Sequence, residues 1–221
     1  MIPTIYKTIV SDPPWNESGG GKVKRGADRH YPLLKSHEIV EVMLTSGRWC
    51  IDDEGAHLYL WVTNNHLEDG LFVMRALGFR YVTTRTWSKD RIGLGQYWRG
   101  QTEPCLFGVR GRQKAKVRTE STLVGKGIVP RGKHSAKPQV FYDEIEKVSP
   151  GPYLEMFARQ PRPGWTTWGN EVEPAPTIDT TSTIREALDA AKPHVYRQQH
   201  AGKHEQDKLD AKDWLERDGD L

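Results

Sequence analysis

The sequence predicts an α/β protein, a sheet with helices on both of its faces. Three observations lead there. Apolar runs of strand length alternate along the chain with segments of helical period. The order is strand–helix–strand–helix rather than strands first and helices after, which favours helical crossovers packed on the sheet. Two of the runs lead straight into polar side chains, Asp12 and Arg159. Ligands of such sheets sit at the carboxyl ends of the strands.

Taken in order, Ile5 to Val10 reads as a strand that stops at Asp12-Pro13-Pro14-Trp15. Ser36 to Met43 reads as a short helix, with Ser36 as N-cap and Ile39, Val40 and Met43 on one face. His57 to Thr63 is a buried strand. Asn64 or Asn65 caps the helix after it, with Leu67, Leu71, Phe72 and Leu77 inward and Gly78 ending it. Phe79 to Trp87 and Glu103 to Val109 are β-rich and joined through a glycine-containing loop, which predicts a hairpin. Lys137 to Val148 reads as a helix, Leu154 to Ala158 as a central strand and Trp165 to Trp168 as a short one. The tail opens on Glu173-Pro174-Ala175-Pro176. A capping box at Thr183 and Glu186 starts a short helix through Ala191, and the rest is polar. The chain thus divides into a domain over 1–172 and a charged tail of linker and short helices over 173–221.

At 221 residues the chain suits one domain of ordinary size with an appendage. It has no apolar run of about 18 residues, the length of a membrane span, and no basic-then-apolar leader. Cys50 and Cys105 are too few for a disulfide framework or a zinc cage, and the eight histidines lack ligand spacing. His30, His37 and His57 read as surface or loop residues, both cysteines as reduced core residues, and the protein as cytoplasmic. No metal is expected. The net charge of +3 conceals an asymmetry: residues 1–172 carry 25 Lys/Arg against 18 Asp/Glu, and residues 173–221 carry 7 against 11. A basic body suits a polyanionic ligand. Two segments read as cationic loops able to hold phosphates. One contains Lys22, Lys24 and Arg25. The other, 110–133, holds eight Lys/Arg, among them Arg112, Lys114, Lys116, Arg118 and Lys133, and one acid, Glu120.

Asp12-Pro13-Pro14-Trp15 is the motif with the most chemistry. The exocyclic amine of adenine is a weak nucleophile because its lone pair is delocalised into the ring. Accepting hydrogen bonds from both of its hydrogens localises that pair. The Asp12 carboxylate supplies one acceptor and a carbonyl of Pro13 or Pro14 the other. Two prolines make the turn rigid, and Trp15 offers an aromatic face for a base taken out of its stack.

Four further elements follow: Leu60-Trp61-Val62-Thr63-Asn64, Lys133-His134-Ser135-Ala136-Lys137-Pro138, Leu154-Glu155-Met156-Phe157-Ala158-Arg159 and Gly164-Trp165-Thr166-Thr167-Trp168-Gly169-Asn170-Glu171. With Asp12 to Trp15, in this order, they resemble the N6-adenine methyltransferase family named after the 70-kDa subunit of the eukaryotic mRNA adenosine methyltransferase. The stretch Gly93 to Glu103 fits the same pattern, and the resemblance runs from about Ile5 to Glu171.

The resemblance implies a Rossmann-like, S-adenosylmethionine-dependent methyltransferase sheet in permuted order, catalytic strand first and cofactor strand late. It implies that Asp12 and the Pro13 and Pro14 carbonyls hold the amine, that Asp12 also faces the cofactor, and that Trp15 stacks on the base. Lys137 is then the partner of the cofactor carboxylate. Arg159, Asn170 and Glu171 address its ribose, and Glu155 orients Arg159 or the ribose side. The compact domain is most similar to prokaryotic and phage members, which implies DNA adenine as the substrate. The same reaction on RNA, and a non-catalytic nucleic-acid-binding subunit on the same fold, are the alternatives, and a homodimer or a partner subunit stays open. Relatives acting on protein amides more usually carry Asn at the first motif position and Tyr at the last, unlike Asp12 and Trp15.

Overall fold

The computed structural model describes residues 4–16, 33–93, 97–132 and 136–169, with Arg185, Leu188 and Asp189. Seven strands form one sheet: β1 (Thr8–Ser11), β2 (Gly55–Trp61), β3 (Arg80–Ser88), β4 (Thr102–Gly111), β5 (Leu123–Ile128), β6 (Tyr153–Met156) and β7 (Trp165–Trp168). Their order across the sheet is β5-β3-β4-β2-β1-β6-β7. Strand β1 pairs in parallel with β2 and with β6, and β6 with β7. Strand β4 runs antiparallel to both β2 and β3. The predicted hairpin is therefore present, inserted beside β2. All strands but β4 share one carboxyl edge, where β4 begins.

Three helices complete the fold: α1 (Ser36–Thr45), α2 (Leu67–Ala76) and α3 (Gln139–Val148). Side chains alternate across each strand, so the two faces collect different residues. Ile9, Leu58, Leu60 and Leu154 pack with Ile39, Val40 and Met43 of α1 and Val73 and Met74 of α2. Val10, Tyr59 and Trp61 pack with Phe141, Tyr142 and Ile145 of α3. Leu188, in the tail, packs against the first of these clusters.

Local readings differ from the structure in four places. Ser36 is the first residue inside α1 rather than its cap; Lys35 precedes the helix, and the Glu38 carboxylate accepts its backbone N–H at 2.6 Å. Asn64 and Asn65 form a 3₁₀ turn ahead of α2. The inward face of α2 is rotated: Gly70, Val73, Met74 and Ala76 are buried, with Leu77 after them as expected, while Leu71 and Phe72 are half-buried and Leu67 is exposed. A Cβ at position 70 would lie 2.5 Å from Val62 Cγ1 and 2.8 Å from Leu106 Cδ1. The helix approaches the sheet at its smallest residue, and that contact outweighs hydropathy in setting the face. Fourth, the 110–133 segment is not all loop, since β5 lies within it. Its pairing to β3 is irregular, and Gly125 and Lys126 have φ near +60°. Two glycines hide this strand from a periodicity reading, while the buried Val124 anchors it.

His57 is not at the surface. It sits in β2 at 1% exposure and joins a buried polar chain. Its Nε2–H donates to the Gln113 carbonyl at 3.3 Å, so Nδ1 accepts from the Ser149 hydroxyl at 2.7 Å. Ser149 in turn accepts from the Tyr59 hydroxyl at 2.8 Å, and burial pushes that phenol up to about 12. Burial holds the His57 imidazole below its usual range, against the carbonyl of Gln113. The native state therefore refuses a proton that the unfolded chain accepts near pH 6.5. Stability contributed here is present above that pH and declines as pH falls through it. The urea midpoint is expected to drop between pH 7.5 and 5.5, and His57→Gln is expected to flatten that slope; an equal slope in the variant would assign it to other groups.

Candidate active site

Asp12 leaves β1 at the carboxyl edge, with its backbone N–H against the Met156 carbonyl of β6. The two prolines then turn the chain sharply. Trp15 N–H donates to the Pro13 carbonyl at 3.0 Å, and Leu34 N–H to the Pro14 carbonyl at 2.8 Å. Each carbonyl keeps a second lone pair. The turn is thus built from backbone contacts that prolines, lacking N–H groups, leave aimed one way.

A chain of four charges runs from Asp12 along this edge. Lys137, just ahead of α3, places Nζ 2.6 Å from Asp12 Oδ2 and 2.8 Å from Glu103 Oε1. Glu103 Oε2 is 2.6 Å from Lys89 Nζ. The two ammonium groups lie over indole rings, Lys137 5.0 Å from that of Trp61 and Lys89 5.0 Å from that of Trp87. Burial works against the charge of Lys137, but Asp12 and Glu103 outweigh it and raise its pKa above the usual lysine range. Burial likewise works to raise Glu103, and Lys137 and Lys89 more than offset it, holding the carboxyl below its usual range. Lys137 is therefore a fixed cation, 8% exposed, at the mouth of the site. An ammonium has three donors. Two are engaged by carboxylates, which leaves one for an incoming anion. On Asp12, the contacts among the described residues engage Oδ2.

Glu155, near the carboxyl end of β6, accepts from the Tyr142 hydroxyl at 2.6 Å and from Arg162 Nε at 3.1 Å. The Arg162 guanidinium lies 3.3 Å from the Tyr142 ring centroid and also donates to Gln139 at 2.7 Å. Burial and the Glu155 charge push the Tyr142 phenol far up, keeping it a donor. Arg159 lies in the β6–β7 loop on the same edge. Phe157, which starts that loop, has φ 61°, and Ala158 N–H reaches the Trp168 carbonyl at 2.9 Å. Gly169 permits this approach, since a Cβ there would lie 2.2 Å from the Ala158 carbonyl oxygen.

The structure thus brings together Asp12, Pro13, Pro14, Lys137, Glu155 and Arg159 on one edge. It treats Trp15 differently from the open stacking face expected of it. Trp15 is 5% exposed, donates its indole N–H to the Trp61 carbonyl at 2.9 Å and stacks on His66 at 5.5 Å. His66 is fixed in turn by Thr63 at 2.7 Å and the Asn16 carbonyl at 3.1 Å. An indole that finds both a carbonyl and a ring partner serves as a brace for the Asp12 turn.

Arg112, Lys114 and Lys116 do not join the site. They follow the end of β4, which is antiparallel to its neighbours, so they emerge at the opposite edge. Lys116 donates there to carbonyls at the end of α3, from its backbone to Val148 and from Nζ to Glu146. Arg118 is exposed in the same connection. The direction of one strand moved this cationic loop away from the chemistry. Lys22, Lys24, Arg25, Lys133, Asn170 and Glu171 lie outside the described residues. Sequence reading missed Glu103, Lys89, Tyr142 and Arg162 as site residues. For Glu103 a signal existed: an isolated acid opening a β-rich run, opposite a lysine-bearing strand end.

The sequence pattern of the MT-A70 family matches residues 6–171. The chain belongs to the MT-A70 family. It is 28% identical to a type II methyltransferase, M.MunI, of a Mycoplasma species over 76% of this chain and 78% of that protein. It is 26% identical to the human N(6)-adenosine-methyltransferase catalytic subunit METTL3, over 81% of this chain and 30% of that protein. A Drosophila melanogaster N(6)-adenosine-methyltransferase MT-A70-like protein is 27% identical over 79% of the chain and 28% of its own length. This MT-A70 chain therefore spans most of the bacterial relative and under a third of these eukaryotic ones. Its mixed seven-stranded sheet is the α/β Rossmann-like methyltransferase fold, with the Asp-Pro-Pro-Trp strand first and the β6 motif late.

The residues present fit S-adenosylmethionine, the methyl donor that methyltransferase membership implies. Lys137 offers a fixed cation with a spare donor for a carboxylate. Asp12 and Glu103 offer negative charge beside it for an ammonium or sulfonium. Two buried indole N–H groups at the carboxyl ends of β2 and β7, those of Trp61 and Trp168, have no acceptor among the described residues. Buried donors normally have one.

Proposed function

We propose that this MT-A70 member transfers a methyl group to the N6 amine of adenine in DNA. The observation that carries the reading is the Asp12–Lys137–Glu103 chain beside a rigid Pro13–Pro14 turn. S-adenosylmethionine, when bound, supplies a methyl group already activated on a sulfonium. The residues of the chain do the remainder. Lys137 holds the cofactor carboxylate, as a point-charge ammonium suits, and Glu155, Arg159, Asn170 and Glu171 address its ribose side. Asp12 Oδ1 and a proline carbonyl accept the two amine hydrogens, orienting the nitrogen lone pair toward the reacting carbon. Lys137 holds Asp12 in place through its contact at 2.6 Å. Alignment and exclusion of water are then the main catalytic terms, and the surplus amine proton leaves to Asp12 or to water.

DNA is favoured over RNA by the match to most of the length of a type II methyltransferase. The METTL3 similarity is confined to under a third of that subunit. The same reading puts the protein in the bacterial cytoplasm, or in the host cytoplasm if phage-encoded. No helix among the described residues is long and apolar enough to cross a membrane. The test is transfer of labelled methyl from S-adenosylmethionine to matched unmethylated DNA and RNA. Label in DNA adenine is the expected result. Label confined to RNA would keep the chemistry and change the substrate, and label in neither would overturn the proposal.

A further inference from the structure

Among the described residues, the β3–β4 loop carries two large aromatic side chains that stay outside both cores. Tyr97 is 96% exposed and Trp98 90%. The hairpin ladder continues beyond the strands through Lys89 N–H to the Gln101 carbonyl at 2.8 Å and Gly93 N–H to the Gly100 carbonyl at 2.6 Å. The Arg99 side chain closes the tip on the Gly93 carbonyl at 2.6 Å. A Cβ at Gly93 would stand 3.0 Å from the Gly100 oxygen, so the closure is tight. Large exposed aromatics on a well-bonded hairpin mark a contact surface.

Topology says which edge they serve. Strand β3 ends and β4 begins at the carboxyl edge, and the root of the loop is Lys89, three ion pairs from Asp12 through Glu103 and Lys137. Strand β5 ends at the same edge and delivers Arg131. The Arg131 backbone N–H donates to Asp90 Oδ1 at 3.1 Å. Its guanidinium and that of Arg91 stand 3.9 and 3.4 Å from the same carboxylate, with side chains 40% and 78% exposed. Asp90, which that N–H holds below the usual carboxylate range, pairs with two exposed guanidinium groups. With Gly132 these residues line a cleft of about 280 Å³. Aromatic faces beside outward guanidinium groups are the pairing that binds unstacked nucleotides: bases stack on rings and phosphates meet cations.

We propose that this hairpin holds the nucleotide adjoining the target adenine, with Tyr97 and Trp98 stacking its base and Arg91 and Arg131 gripping its phosphate. The proposal rests on the nucleic-acid reading above. It makes the substrate a strand whose bases are unpaired next to the methylated position, either single or locally opened, and it gives the MT-A70 core a second contact beyond the base pocket.

The test pairs binding with turnover. A fluorescently labelled single-stranded oligodeoxynucleotide containing one adenine is titrated against the wild-type chain, Tyr97→Ala/Trp98→Ala, Tyr97→Phe/Trp98→Phe and Arg91→Gln/Arg131→Gln. The alanine pair is expected to weaken binding by roughly tenfold or more and the phenylalanine pair by much less, because Phe retains the stacking face. The arginine variant is expected to lower the salt dependence of binding. An abasic nucleotide beside the adenine should weaken wild-type binding as the alanine pair does, and add nothing in that variant. In methyl transfer the KM for the oligonucleotide should rise with these losses while the KM for S-adenosylmethionine stays level. Binding that is indifferent to the alanine pair would overturn the proposal even if turnover is normal. A change of molecular mass in that variant, with oligonucleotide affinity intact, would overturn it in favour of a protein contact. Aromatic-dependent binding without methyl transfer would uphold the hairpin contact and sink the catalytic reading instead.

Discussion

Asp12→Ala is expected to lower methyl transfer by at least about 10²–10³-fold, the scale of removing one electrostatic contact from a reacting centre. Two functions end with this carboxylate. The amine loses the acceptor that orients its lone pair, and Lys137 loses the partner at 2.6 Å. The fold is expected to persist, because Asp12 lies at a strand end with its side chain 28% exposed. Cofactor affinity should stay within a few-fold, since Glu103 continues to hold Lys137 at 2.8 Å. Single-turnover transfer from labelled S-adenosylmethionine, with calorimetric titration of the cofactor alongside, separates the two effects. Turnover within tenfold of wild type would remove Asp12 from the chemistry. Loss of cofactor binding in step with activity would make it a cofactor residue instead.

Glu144→Ala is expected to carry the largest cost in stability, about 3–5 kcal/mol, the range for breaking one side of a buried ion pair. Arg85 in β3 and Glu144 in α3 pair directly with side chains 9% and 4% exposed. Glu144 also accepts the backbone N–H of Gly125 at 3.1 Å, tying β5 to the same helix. Truncation leaves the Arg85 guanidinium buried beside the Phe141 ring, 5.4 Å away, without its counter-charge. Urea unfolding measures the loss. A companion replacement of both partners by apolar residues of similar volume is expected to recover much of it, because desolvation of the two charges is then avoided. A loss under about 1 kcal/mol for Glu144→Ala would show that water reaches the pair.

Strand and helix succession was readable because the apolar runs that form β1, β2 and β6 have no other soluble solution. The Asp12 turn was readable because two prolines and a carboxylate leave few conformations. Other features depend on three-dimensional neighbours that no local pattern encodes. Nothing near Gly70 announces that Val62 and Leu106 meet it, so local pattern places the α2 face part of a turn away from where it lies. His57 looks like a polar interruption of β2, and its burial is made tolerable by the Gln113 carbonyl and by Ser149, ninety-two positions on. The cationic run at 112–118 was misread for a related reason: composition records charge but not which end of the sheet a strand delivers it to. Glu103 and Arg162 escaped because their partners come from other strands and from α3.

The pairing of β1 has a bearing on how the protein is made. This strand is flanked by β2 on one side and by β6 on the other. Asp12 and Lys137 are 125 positions apart. A ribosome releases β1 first, but one of its edges has no neighbour until β6 has been synthesised. Domains form as units while the chain emerges, and such long-range parallel pairing is slow. The nascent chain therefore extends by 125 residues past Asp12 before it holds the lysine that fixes this carboxylate.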